Sequence, residues 1–476
     1  MEKRDDLNIF FNPKAVAVIG ATERPGAWGS TVMQNLLSLK YGGDIYPVNV
    51  HAERIFNVPA FKEVREIPGP VDLAILTIPA KSIESAVRAC GRKRVKGMII
   101  VTSGFSETSE QGLEREKALV KLAHAHGIRV VGPNVSGIFN LHNHFFARGG
   151  RTSDLLATSL AAITQGGIAF TDTLTSGGNR GMGVGKFVHT GNECDLTMTD
   201  FLDHFGQDPD VKAILLYIEG IRHSRRFIDV ARKVTRKKPV VAYKGGRTPG
   251  SARAAQSHTA ALAGKKELWE ALIRQVGIVP SPTMELLLPL GHALVERPPM
   301  RGKRIGIITV GGSWGVILSD FLEEAGLSVP EFSHSLQKRL HELGMPERAS
   351  TRNPIDIGAA GIFASGDMVL TLGKEVLASG ETDALILHGF GRPEMLKEDS
   401  PPVQRTFLDL EKRFIRGFNA FEKEWQRPVL IGSHFSPWES QTIFDVNKES
   451  IRIYHDIDKI ARLLSLMYQY WNSRAG

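Results

Sequence analysis

Ala15-Val-Ala-Val-Ile19 runs directly into Gly20-Ala-Thr-Glu-Arg-Pro-Gly26-Ala-Trp-Gly29, and Ser30–Leu39 follows with helical spacing. A short apolar run rich in β-branched residues, a glycine-rich turn and a helix open a βαβ unit. Glycines in such a turn let the backbone approach a phosphate, and free N–H groups at the helix start face the anion. The spacing is not a dinucleotide fingerprint, because Ala21-Thr22-Glu23 follow the first glycine. Nor does an acid close the second strand: Tyr46-Pro47-Val48-Asn49 stands where an Asp or Glu would grip an NAD ribose. The turn reads as a site for a phosphate-bearing ligand other than NAD, with a merely connecting turn as the alternative.

Working outward, the same alternation recurs. Ile45–Val48, Leu73–Ile78, Gly97–Val101 and Arg129–Val131 are further strand-like runs, with helical patterns at Ser82–Cys90 and Gly112–His126 between them. A second set comprises Leu160–Ile163, Gly183–Val188, Ala213–Ile218 and Pro239–Tyr243, and a third Arg304–Val310, Ala384–His388 and Pro428–Ile431. Boundaries are expected in the polar stretch Arg148–Ser153 and in Glu296–Lys303, which holds two prolines and a glycine. The expected division is therefore 1–150, 151–298 and 299–476, with Phe407–Trp425 as a helical excursion in the last.

A length of 476 residues suits this count. With 42% hydrophobic and 23% charged residues the chain has an ordinary globular composition, which excludes disorder or collagen as its main theme. The longest apolar stretch, Met284–Val295, is interrupted by Glu285, Gly291 and His292 and falls short of the roughly 18 residues of a membrane span. No signal peptide is read at the start, and Cys90 and Cys194 cannot form a disulfide framework or a zinc site. A cytoplasmic protein with no metal site and no membrane partner is expected. The net charge of +8 is spread without long basic blocks, which argues against nucleic acid and suits a phosphate-rich small ligand.

Three further segments could carry chemistry. His258 lies in Gln256-Ser-His-Thr-Ala-Ala-Leu-Ala-Gly264, whose small neighbours leave the imidazole uncrowded, as a loop-borne nucleophile requires. Taken alone, a histidine at a helix start explains it as well. Glu219 closes the strand Ala213–Ile218, where ligands of α/β sheets bind, and could orient an imidazole; an exposed turn residue is the plainer alternative. Gln165-Gly166-Gly167 opens the helical stretch Ile168–Leu174 and offers backbone donors to a phosphoryl group, or is a simple strand-to-helix turn.

Together these segments resemble the NDP-forming acyl-CoA synthetases, the superfamily of ADP-forming acetyl-CoA synthetase and succinyl-CoA synthetase. The likeness runs in order from Pro13–Leu36 to Gly302–Leu327, with Thr309-Val-Gly-Gly-Ser-Trp-Gly315, and to Asn353-Pro-Ile-Asp356. It implies an α/β fold of three consecutive doubly wound domains: a Rossmann-like CoA-binding domain followed by two flavodoxin-like domains. In that family a histidine is transiently phosphorylated, and His258 stands at its place, with Ala260 where a glycine is usual. Glu219 matches the acid that holds it. The implied phosphate set is Gln165, Gly166, Gly167 and Asn192, and here Gly166 replaces the second serine of a Ser-Gln-Ser-Gly sequence. The implied CoA set is Gly20, Ala21, Thr22, Gly26 and Gly29, continued by Val48, Asn49, Ile78, Pro79, Ser103, Gly104 and Asn134.

No segment after Trp438 reads as a nucleotide-binding ATP-grasp module. The resemblance thus implies an α-type subunit in a hetero-oligomer with a β-type ATP-grasp partner, which would hold ADP or ATP with Mg. Coenzyme A, a small carboxylic acid or its acyl-CoA, and phosphate would be the other reactants. A non-catalytic CoA- or acyl-CoA-binding regulatory protein on the same scaffold is the alternative. The acyl group itself is not written in any segment named above.

Overall fold

Ala15–Ile19 is buried at every position, and so are Leu73–Leu76 and Gly97–Ile100. Strands covered on both faces carry continuous apolar runs, which is why their sequences do not alternate. The structure is a computed structural model and describes residues 7–150, 155–251, 266–345, 349–358, 367–393 and 402–474. The chain divides into two compact units, one of residues 1–178 with 183–291 and one of 179–182 with 292–476.

The first unit holds two large sheets. One is wholly parallel, in the order Asp44–Val48, Ala15–Ile19, Leu73–Leu76, Gly97–Ile100, Arg129–Val131. The other runs Val279–Pro280, Val240–Lys244, Ala213–Ile218, Leu160–Thr164, Lys186–His189, all parallel, and is extended by Gly137–Asn140 and Phe145–Arg148. In both, the earliest parallel strand lies between the second and the third, so neighbouring connections leave it in opposite directions. Ligands of doubly wound sheets bind at the carboxyl side of this switch point. In the second sheet it falls between Leu160–Thr164 and Ala213–Ile218, so Gln165 and Glu219 emerge side by side.

The hairpin Gly137–Arg148 is not among the expected strands. Both of its strands are buried at every position, so no alternation marks them. Phe139 stacks between Phe146 and Phe187, with ring centroids 5.1 and 5.0 Å away. The hairpin joins the second sheet antiparallel to Lys186–His189, although it precedes the boundary expected at 148–153, of which 151–153 lie outside the described residues.

The second unit carries a third parallel sheet of the same order, Ile355–Asp356, Ile305–Thr309, Ala384–His388, Val429–Gly432, Ile453–Tyr454. Thr309-Val-Gly-Gly-Ser-Trp-Gly315 leads from its first strand into the helix Gly312–Glu324. The Asp356 carboxylate accepts from the N–H groups of Gly311 at 3.0 Å and Gly358 at 2.9 Å, which fixes that turn. The expected helical excursion is the helix Pro402–Trp425. No described helix is long and apolar enough to cross a membrane.

Candidate active site

A cavity of about 1030 Å³ opens in the first unit at the carboxyl edge of the second sheet. Of the residues singled out in the sequence, Ser103, Asn134, Gln165, Gly166, Gly167 and Glu219 line it. His258 lies outside the described residues.

Glu219 is buried, and a set of hydrogen bonds fixes it. The Gln165 side-chain oxygen Oε1 accepts from the N–H of Glu219 at 2.6 Å and of Gly220 at 3.0 Å. The Gln165 amide donates to the Gly220 carbonyl at 2.8 Å and to Glu193 Oε1 at 3.1 Å. Gln165 therefore ties the two central strands together, and both of its amide hydrogens are engaged by protein. Lys244 donates to the Glu219 carbonyl at 2.8 Å, and the Tyr217 hydroxyl to Glu219 Oε1 at 3.2 Å. Burial and the neighbouring Glu219 charge push the Tyr217 phenol up, so it remains a donor; burial brings Lys244 down. Burial likewise raises the Glu193 carboxyl, against the pull of Thr190 and Gln165.

The turn beside Glu219 offers donors to an anion unequally. The Gly166 N–H is engaged by the Thr164 hydroxyl at 3.1 Å. The Gly167 N–H has no acceptor among the described residues, and it opens the 11-residue helix Ile168–Gly178, whose first N–H groups lack intrahelical partners.

Several lining residues were not anticipated: Trp28, Arg148, His189, Tyr217, Tyr243 and Lys244. The Tyr217 and Tyr243 rings stack 5.9 Å apart, and the Arg247 guanidinium lies 4.9 Å over Tyr243. Tyr217 precedes Glu219 by two positions and so shares its side of the strand, a signal available once Glu219 is chosen. His189 is held at both nitrogens. Nδ1 accepts from the Ser136 N–H at 2.8 Å, and Nε2 lies 3.1 Å from the Gln165 carbonyl oxygen, which assigns the proton to Nε2. An imidazole tied this way is a strut, not a phosphoryl carrier.

The chain resembles known proteins along most of its length. The chain is 38% identical over 80% of its length to the α subunit of ADP-forming acetate–CoA ligase II of Pyrococcus furiosus, covering 81% of that protein. It belongs to the NDP-forming acyl-CoA synthetases. The α subunit of the same organism's ligase I is 32% identical over 98% of this chain and 99% of that one. The CoA binding domain family matches residues 14–140, and the succinyl-CoA ligase like flavodoxin domain family residues 157–294. Among solved structures, the dinucleotide-forming acetyl-coenzyme A synthetase 1 of Ca. Korarchaeum cryptofilum, in complex with phosphate and ADP, superposes with a TM-score of 0.84 at 30% identity, covering 99% of each chain.

In the present chain the residues of the implied CoA set follow successive strands at the carboxyl edge of the first sheet. Gly20 has φ +96°, and a Cβ there would lie 2.7 Å from Thr77 Oγ1; a Cβ on Gly29 would lie 2.1 Å from the Gly20 carbonyl oxygen. The two glycines thus bring strand, turn and helix into backbone contact. Asn49 donates to the Ala21 carbonyl at 2.7 Å and so closes the turn that begins Gly20-Ala21-Thr22. Ile78 accepts from the Thr102 hydroxyl at 2.6 Å beside Pro79, and Gly104 donates to Glu107 Oε1 at 2.5 Å. Val48 is buried, and Gly26 has open space around it. Of this set only Ser103 and Asn134 reach the cavity.

Asn192 is not brought to the cavity. Its amide donates to Glu107 Oε2 at 2.5 Å, to Glu116 Oε2 at 3.0 Å and to Ser106 Oγ at 3.1 Å. Burial raises the Glu107 carboxyl, but the Asn192 amide and the N–H groups of Gly104 and Phe105 more than offset this and hold it low. Among the described residues no group of three or more His, Cys, Asp or Glu side chains could hold a metal.

Proposed function

We propose that this chain is the α-type subunit of a synthetase that interconverts acyl-CoA, ADP and phosphate with free acid, CoA and ATP. The observation that carries this reading is the meeting of Glu219, Tyr217 and the Gly167 helix start at one cavity, at the switch point of the second sheet. Phosphate attacks the thioester carbonyl, the carbon–sulfur bond breaks, and acyl phosphate and CoA form. His258 then attacks phosphorus through one ring nitrogen and the carboxylate leaves as free acid. Glu219 accepts a hydrogen bond from the other ring nitrogen and favours the tautomer whose attacking nitrogen is bare. The Gly167 N–H and the helix behind it stabilise the phosphoryl charge as it moves. Phosphohistidine finally passes its phosphoryl group to ADP held with Mg by a β-type ATP-grasp subunit.

The working division is a CoA-binding domain in 1–150, a flavodoxin-like domain carrying His258 in 151–298 and a second flavodoxin-like domain in 299–476. A partner subunit is supported by the ADP-forming acetate–CoA ligase of Methanocaldococcus jannaschii. It is 34% identical over 74% of this chain, yet the match covers only 49% of that protein. The reading is tested by incubating the full chain and its partner with γ-labelled ATP. Acid-labile label is expected on the wild-type chain and absent from His258→Asn; label retained by that variant overturns the phosphohistidine.

A further inference from the structure

Arg148 ends the hairpin strand Phe145–Arg148 and is only 3% exposed. Its contacts are with neutral groups. Nε donates to the Ser136 hydroxyl at 3.3 Å, Nη2 donates to the Thr171 hydroxyl, and the guanidinium lies 4.9 Å over the Phe187 ring. Nη1 has no acceptor and no carboxylate pairs with the side chain among the described residues. Burial alone lowers its pKa, to about 10, so it is charged at neutral pH. A buried charge without a counter-ion is costly, and proteins ordinarily pair it. This one lines the cavity of the candidate site. Its Thr171 contact ties it to the open helix start, because the Thr171 hydroxyl donates to the Gly167 carbonyl at 2.8 Å.

We propose that Arg148 is an oxyanion-binding residue of this cavity, supplying a fixed charge beside the Gly167 helix start to a carboxylate or phosphate oxygen of a substrate. The inference deepens the acyl-CoA synthetase reading and rests on it for the identity of the substrate. A guanidinium held by Thr171 and Ser136 on a residue that lines the cavity is pre-oriented, so little side-chain freedom is lost on binding. Two sources share this chemistry: inorganic phosphate, and the distal carboxylate of a dicarboxylic acyl group.

The test compares the full chain with Arg148→Met, which keeps the stem over Phe187 and removes the charge, and with Arg148→Lys, which keeps the charge and loses the fork. Inorganic phosphate and succinate are titrated by calorimetry and thermal melting, and kinetics with the partner subunit compare acetyl-CoA with succinyl-CoA. One probe is expected to bind and raise the melting temperature of the wild type but not of Arg148→Met, which without ligand melts above the wild type. The KM of the matching substrate rises about tenfold or more, as for the loss of a charge-assisted hydrogen bond, while the other KM values stay put. A raised phosphate KM assigns the site to phosphate; loss of a succinyl-over-acetyl preference assigns it to a distal carboxylate. Arg148→Lys falls between and carries the comparison if the methionine variant misfolds. Equal anion binding by wild type and variant, or no binding by either with unchanged kinetics, overturns the inference. Arg148-dependent anion binding without turnover overturns the synthetase reading and leaves the inference standing.

Discussion

A Cβ on Gly166 would lie 2.7 Å from Cε1 of Tyr217. The Tyr217 ring therefore occupies the space where a side chain at position 166 would begin, and its hydroxyl is the one that reaches Glu219. The serine that the family resemblance implies at this place is opposed here by packing, not by backbone conformation. Gly166→Ser is expected to destabilise the first unit by about 1–3 kcal/mol, the range for forcing extra volume into a filled space. It should also turn the phenol away from Glu219 and slow phosphoenzyme formation. Urea denaturation and single-turnover labelling check this; a serine variant as stable and as fast as the parent would show that Tyr217 moves aside freely.

Gln165 gives a second prediction. Its one side chain satisfies the N–H groups of Glu219 and Gly220, the Gly220 carbonyl and the buried Glu193. Gln165→Leu leaves the two N–H groups and the Gly220 carbonyl without this partner and leaves Glu193 to Thr190 and the Met198 N–H alone, and the folded state should lose about 2–4 kcal/mol in chemical denaturation. Phosphohistidine formation should fall with it, because Glu219 loses the strut that sets its backbone. A leucine variant with parental stability would mean that cavity water replaces the amide.

These two residues show what the sequence could and could not disclose. Short β-branched runs ending in Gly20, Gln165 and Glu219 marked the strands and their carboxyl ends, because fully covered parallel strands are written as uninterrupted apolar stretches. Glu219 was visible as an acid at a strand end, and Tyr217 could have followed from two-residue periodicity. Arg148 was hidden because it ends a four-residue strand with no alternation, in a segment that looked like a linker. Asn192 was legible as part of an ordered likeness, but its three acidic and hydroxyl partners come from residues 106–116, a pairing that only the tertiary structure supplies.

In the second unit two buried groups contribute to the pH dependence of stability with opposite signs. Burial pushes Glu411 up to about 7, although it accepts from the Gly391 N–H, and burial with the nearby His434 brings His388 down to about 4. For Glu411 the native state holds the extra proton, so its contribution to stability falls as pH rises from the unfolded carboxyl value through about 7. For His388 the unfolded state holds the extra proton, so its contribution rises from about pH 4 to the unfolded imidazole value. Each amounts to roughly 3 kcal/mol and the two largely cancel. Wild-type stability should therefore vary little between about pH 4.5 and 6.5 on their account. Glu411→Gln should unmask stability rising with pH, and His388→Gln stability falling with pH. Denaturation of each variant across that range checks the signs; parallel slopes in the two variants would show that neither group is shifted.

Asn192 separates a structural from a ligand-binding role by a single isosteric change. Its amide sits between Glu107 and Glu116, both within hydrogen-bond reach, in a site where the asparagine is 3% exposed. Asn192→Asp exchanges the donor for a third carboxylate of nearly the same shape. The interaction that holds Glu107 ionised then becomes a repulsion, and desolvation is no longer repaid. The expected loss is about 3 kcal/mol at neutral pH, shrinking as the pH is lowered and the cluster takes up protons. Because the amide nitrogen is held by these acids and Asn192 is not among the residues that line the cavity, the fraction that remains folded should keep the parental KM for phosphate. Parental stability with a raised phosphate KM would instead return Asn192 to the phosphate site that its place in the sequence suggested.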